Sequence, residues 1–239
     1  MHLLYTATDR VQIFSLEHLF PIVLAFGFAF IFIQYAKGVS IKKQQRLLHF
    51  LALFMSLSVV AYHVYCVLTT AYNIRTDLPL YLCSLLAILM PLYTYYLKYW
   101  MFEILVFWII AGTMQGVLTP DIAEGFPSLD YFRYWIVHLG LLIVIFYSIL
   151  VLEFRPKFKS IFKSFLALQV YIVAIVVINY SLDANYFYLN HKPESASVLD
   201  YLGDWPYYII TVQVVIVPIF MLIYLPFYHA NIKKKLLRK

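Results

Sequence analysis

The chain has 239 residues, of which 64% are hydrophobic and 13% charged, with a formal net charge of +6. A soluble domain of this size lacks the polar groups to cover so much apolar surface, so composition excludes an ordinary water-soluble globule. Apolar stretches near twenty residues, long enough to cross a hydrocarbon core, recur along the sequence, and we read an all-α polytopic membrane protein whose single domain covers 1–239.

Seven spans are expected, at roughly 16–36, 47–70, 79–97, 102–118, 132–152, 161–181 and 206–228. No basic region precedes the first apolar run and no small-residue cleavage site follows it, so it reads as a retained helix carrying Glu17 and His18. The second ends with His63 and Cys66. The third opens at Pro79, a residue suited to the first helical turn, carries Cys83, and is expected to kink at Pro91. The fourth is the weakest: it starts with Glu103 and contains Gly112, Thr113, Gln115 and Gly116. The fifth carries His138 and the sixth Asn179. The loops at 116–133 and 182–204 hold Asp121, Asp130, Arg133, Lys192, Asp200 and Asp204, which fit a structured cap tied by side-chain hydrogen bonds. Tyr93, Tyr95, Tyr96, Tyr99 and Trp100 near one boundary, and Tyr131, Tyr134, Trp135, Trp205, Tyr207 and Tyr208 near the other, read as interfacial belts.

Charge tests the span count independently. Fourteen of the eighteen Lys and Arg residues fall on one side of a seven-span arrangement, around 37–46, 98, 155–163 and 233–239. The other side receives Arg10, Arg75, Arg133 and Lys192. The positive-inside rule then places the N-terminus outside and the C-terminus in the cytoplasm. Omitting the fourth span would scatter the basic loops across both sides. The excess positive charge thus reflects topology and contact with anionic lipid, not nucleic-acid binding.

With these spans, Glu17, His18, His63, Cys66, Cys83, Gln115, His138 and Asn179 share the outer third of the membrane. Cys83 lies roughly 6 Å below Pro79, and His138 roughly 9 Å down its own helix, at 1.5 Å per residue. Polar groups at such depths face a bundle interior or a wet cavity, or join helices by hydrogen bonds. A cysteine and a histidine together are the parts of an activated thiolate that attacks a carbonyl, with Gln115 or Asn179 able to donate to the oxyanion. The nearest carbonyls at that depth are glycerolipid esters. Two rivals stay open. Cys66 and Cys83 flank the turn between spans two and three about equally, which also suits a disulfide or redox pair if both face the contact line. A transporter or a non-catalytic lipid binder is the other, although no repeat and no midplane charge marks ion coupling. No nucleotide, metal or haem signature is present, so no cofactor is expected.

The segments LPLYLCSL (78–85), FEILVFWIIAGTMQGVLTPD (102–121), GFPSLDYFRYWIVHLG (125–140), NYFYLNHKP (185–193) and SVLDYLGDWPYY (197–208) resemble, in order, the YwaF-like family of bacterial integral membrane proteins. That family is similar, more distantly, to the animal transmembrane protein 164 family. The resemblance runs from about residue 15 to 228. It implies seven helices in a bacterial plasma membrane. It also implies an acyltransferase acting on phospholipid or lysophospholipid, with Cys83 as nucleophile and His138 as base. Relatives often read LPLHLCDL; here Tyr81 and Ser84 replace the histidine and aspartate, and His63 is a candidate substitute imidazole. Tyr81, His63, Asn179, Arg133 and Lys192 are the expected substrate-side residues, with Arg133 or Lys192 pairing with a lipid phosphate.

Overall fold

The computed structural model describes residues 10–194 and 197–236, with side chains through residue 229. The basic cluster expected at 233–239 therefore lies outside the described side chains, and Arg238 and Lys239 lie outside the described residues. Seven main helices form the described chain: α1 (Leu16–Lys37), α2 (Ile41–Thr69), α3 (Leu82–Tyr96), α4 (Tyr99–Leu118), α5 (Leu129–Leu150), α6 (Phe158–Leu182) and α7 (Tyr207–Leu236). Six of them are long and apolar enough to cross a membrane; α3, at 15 residues, is shorter.

α5 is the axis of the bundle. Its apolar window is 72% buried, against 11% for α1 and for α7, whose large side chains face outward. Val137, Leu141, Val144 and Ile145 of α5 are wholly buried, as befits a helix that is apolar nearly all round. Ser15 and Ser128 cap α1 and α5 by accepting from the His18 and Tyr131 N–H groups, each cap being worth about 1 kcal/mol. Pro21 lacks the N–H that would have bonded Glu17, and the Tyr131 hydroxyl donates to the Glu17 carbonyl instead, at 2.7 Å.

Three expectations are corrected. First, Pro79 does not start a helix. Residues 78–81 form an irregular approach and Tyr81 is the N-cap, with extended φ/ψ of −63° and 140°. Cys83 is thus the second residue of α3, at the helix mouth rather than a turn inside it. Second, the fourth span, expected at 102–118, is present but longer, a continuous helix of 20 residues whose middle, Ile109–Thr113, winds as a π-helix. Gly112, Thr113 and Gly116, which weakened it as an apolar run, are packing positions. Third, Tyr93, Tyr131, Tyr134, Trp135 and Tyr208 are core residues, not belt residues. The four tyrosine hydroxyls are satisfied internally, Tyr93 donating to Ser148 Oγ at 2.8 Å, whereas Trp135 Nε1 is buried without a hydrogen-bond partner among the described residues. Tyr95, Tyr96, Trp100, Trp205 and Tyr207 are exposed, as the belt reading requires.

Candidate functional site

The segment ahead of Cys83 is held by two tyrosines. The Tyr186 hydroxyl accepts from Leu78 N–H at 2.9 Å and donates to Ile74 O at 2.7 Å. The Tyr171 hydroxyl donates to Leu80 O at 2.7 Å. Within α3 the Leu85 N–H already bonds Tyr81 O. The N–H groups of Leu82, Cys83 and Ser84 belong to the first turn, where no helical carbonyl is available to them. A cysteine at this position sits at the positive end of the helix macrodipole, beside the unpaired N–H groups of the first turn.

The thiol faces α4. Cys83 Sγ lies 3.5 Å from Thr113 Oγ1, the last residue of the π-helical segment, which is itself fully buried. A π-bulge inserts a residue into the helical count and so re-aims the next side chain, a device often found at functional sites.

His138 approaches the same helix from α5. Its Nδ1 lies 2.8 Å from Tyr134 O. A carbonyl oxygen only accepts, so Nδ1 carries the proton and Nε2 is the basic nitrogen. The imidazole stacks on the Tyr134 ring at 3.9 Å. Its Nε2 edge lies against Gly116, where an added Cβ would stand 2.8 Å from that nitrogen. The Tyr134 hydroxyl donates to Gly116 O at 2.8 Å and accepts from Asp121 N–H at 3.3 Å, which locks the wall behind the ring. Thr113 and Gly116 are three residues apart and share one face of α4, one turn apart. Cys83 and His138 therefore meet the same patch of α4 from two different helices.

Arg133 is the third component. Its guanidinium is paired with Asp130, sits 4.6 Å over the Tyr62 ring, and reaches Ser84 Oγ at 3.5 Å. Ser84 adjoins Cys83, so the cation stands beside the nucleophile's turn. His63 packs edge-on against Tyr62, and its Nδ1 is 3.5 Å from the Tyr72 hydroxyl. His63 Nε2 is buried without a hydrogen-bond partner among the described residues.

The other expected residues lie elsewhere. Gln115 donates to Thr119 Oγ1 at 2.9 Å on its own helix and does not turn to Cys83. Asn179 is buried and clasps the Tyr186 backbone, donating to its carbonyl at 2.9 Å and accepting from its N–H at 2.8 Å. The Lys192 ammonium lies 5.7 Å from the Tyr208 ring centre. The Tyr81 ring packs against Tyr186 and Tyr188, ahead of the helix. His18 accepts from Phe14 N–H through Nδ1 and so donates from Nε2 to Val117 O, using both nitrogens structurally. Cys66 and Cys83 are both free thiols, not a disulfide.

The polar layer is thus several separate networks rather than one. The loops at 116–133 and 182–204 form the expected cap: Asp121 accepts from Arg10 at 2.6 Å and from the Tyr188 hydroxyl at 3.0 Å, and Trp205 Nε1 donates to Leu189 O at 3.0 Å. Burial pushes the Tyr186 hydroxyl up to about 12, and burial with the nearby Asp121 carboxylate pushes that of Tyr188 upward as well. Thr113, Tyr134, Gly116, Tyr171 and Tyr186 were not anticipated as site residues. Two spacings carried a signal: Thr113 with Gly116 at i, i+3, and Tyr134 with His138 at i, i+4.

Fold and site together define a multi-helix integral membrane protein with a cysteine and a histidine converging on one helix. The chain belongs to the TMEM164 family, whose model it matches over residues 13–224. Among curated proteins and among solved structures, none matches.

Proposed function

We propose that the protein is a thiol-dependent acyltransferase acting on a phospholipid or lysophospholipid. The convergence of Cys83 and His138 on the Thr113–Gly116 turn, with His138 Nε2 left basic, is the observation that supports it. His138 Nε2 takes the thiol proton and Cys83 Sγ attacks an ester carbonyl carbon of the lipid. The tetrahedral oxyanion faces the free N–H groups of the α3 mouth and the Thr113 hydroxyl, which replace Gln115 in that role. Collapse breaks the ester C–O bond. The proton on His138 passes to the leaving lysolipid alkoxide, leaving a Cys83 thioester. A second lysolipid hydroxyl, or water, then gives its proton to His138 and takes the acyl group, restoring the thiol.

Arg133 is placed to hold the lipid phosphate, because it is the cation nearest the nucleophile's turn. Lys192, over Tyr208, belongs to the cap. In this reading all seven helices span, with the N-terminus outside and the site in the outer leaflet of a bacterial plasma membrane. The spread of basic residues supports that orientation, and α3 spans despite its length because the half-buried irregular segment 78–81 has backbone groups satisfied by the Tyr171 and Tyr186 hydroxyls.

A non-catalytic lipid binder or transporter is the second reading. The Arg133–Asp130 pair favours it, since that cation already has a partner. Purified protein incubated with a labelled phosphatidylcholine and an unlabelled lysophospholipid separates the two. Acyl exchange that is lost in both Cys83→Ser and His138→Ala supports the enzyme. Undiminished lipid binding without exchange in any form of the protein supports the binder.

A further inference from the structure

A basic surface pocket lies at the N-terminal end of α2, far along the chain from Cys83. A cavity of about 240 Å³ is lined by Ser40, Lys42, Lys43, Arg46, Leu47 and Phe50. Its two halves differ in chemistry. Lys42, Lys43 and Arg46 are exposed cations at the head of the helix, and no carboxylate lies within ion-pair distance of any of them among the described residues. Two other cations on the Lys-rich side are engaged: Lys163 pairs with Glu103 at 2.6 Å, and Arg155 donates to Ile149 and Phe154 carbonyls. One turn further on, Leu47 and Phe50 supply an apolar floor, and Phe50 is 62% exposed.

The spacing puts these residues on one stripe of α2, since 43, 46, 47 and 50 follow the i, i+3, i+4, i+7 rule. The opposite stripe, Leu48, Ala52, Met55 and Val59, is wholly buried in the bundle. The α1–α2 turn beside the cavity is tied by hydrogen bonds. The Gln44 amide donates to Ala36 O at 3.1 Å and Val39 O at 3.3 Å, and the Tyr147 hydroxyl donates to Gln44 O at 2.8 Å. The Lys43 ammonium is held 5.2 Å over the Tyr35 ring.

We propose that this cavity binds a glycerophospholipid of net negative charge from the leaflet on the Lys-rich side. The phosphate sits among Lys42, Lys43 and Arg46, and the first methylenes of a chain lie on Leu47 and Phe50. Free phosphate satisfies the cations alone; a lipid satisfies both halves, and the apolar floor one turn below the charges selects it. The proposal is independent of the chemistry at Cys83.

Native mass spectrometry of the purified protein, released from detergent with equal amounts of phosphatidylglycerol and phosphatidylcholine of the same chains, tests it. Wild type is expected to retain phosphatidylglycerol preferentially. Each neutralised cation lowers that retention about fivefold, given typical surface charge–lipid attraction. The triple variant K42Q/K43Q/R46Q then loses the preference, while K42R/K43R keeps it. Single Lys→Gln variants serve if the triple variant melts below wild type. Phe50→Ala weakens retention without touching charge, and millimolar inorganic phosphate does not displace the lipid. Equal retention of both lipids by wild type, or an unchanged preference in folded triple variant, overturns the site. Displacement by inorganic phosphate overturns the lipid assignment.

Discussion

Gly116→Ala is the sharpest perturbation of the proposed site. The new methyl would stand 2.7 Å from His138 Cδ2, 2.8 Å from Nε2 and 3.2 Å from the Tyr134 hydroxyl. Ordinary contact begins near 3.4 Å, so the imidazole must retreat by about 0.7 Å. It has little freedom to do so, because Nδ1 is bonded to Tyr134 O and the ring is stacked on Tyr134. Overpacking of this kind costs about 1–3 kcal/mol, offset in part by the roughly 1 kcal/mol that alanine gains over glycine in a helix. A general base contributes about 10²–10⁴ in rate, and misplacement by about 1 Å costs about 10². Gly116→Ala should therefore fold with a small drop in melting temperature and lose acyl exchange about a hundredfold. Gly112→Ala is the matched control on the same helix. Its methyl would meet only Leu82 Cδ2, at an ordinary 3.5 Å, and its activity should stay within a few fold of wild type. Acyl exchange and thermal melting in detergent, run on both, give the answer. A folded Gly116→Ala protein with wild-type exchange would refute His138 as the base.

Arg133→Gln should raise the lipid concentration needed for half-maximal exchange by about tenfold, while thioester formation at saturating lipid persists; abolition of the thioester would instead mark Arg133 as structural. Asn179→Ala strands the Tyr186 N–H and carbonyl. It should destabilise the protein by about 1–3 kcal/mol, read as a lower melting temperature and faster protease cutting in the 182–204 loop. The cap should also loosen in alkali. The Tyr186 hydroxyl is raised from 10.0 to about 12, and Tyr188 shifts in the same direction. A raised pKa means the folded state holds the proton more tightly, so this stabilisation is complete below about pH 10 and is lost as pH rises towards 12. Phenolate absorbance and cap proteolysis should rise together over that window, and Tyr186→Phe should flatten the proteolysis curve.

The helices were legible because apolar length is a strong signal, and the error in where one begins came from the shortest of them. The irregular approach to Cys83 cannot be read from LPLY, because what keeps it out of the helix is remote: Tyr171 and Tyr186 hold its backbone from elsewhere in the chain. The buried tyrosines misled for a similar reason. A tyrosine near a span boundary reads as interfacial unless its distant partner, such as Ser148 for Tyr93, is known. Cys83 and His138 could be named from residue type and resemblance. Their supports could not, because Thr113 depends on a π-turn and Gly116 on a ring arriving from another helix. Gln115 has the right chemistry and depth, but a hydroxyl four residues along its own helix claims its amide.

Intact mass spectrometry of the purified protein incubated with mixed phospholipids tests the central claim most directly. Wild type should gain a hydroxylamine-sensitive, acyl-sized mass that Cys83→Ser lacks, and the added mass should identify the chain. If neither wild type nor His138→Ala acquires such a mass, and lysophospholipid levels stay unchanged in both, the thiol is not a nucleophile and the Cys83–His138 pair is packing alone.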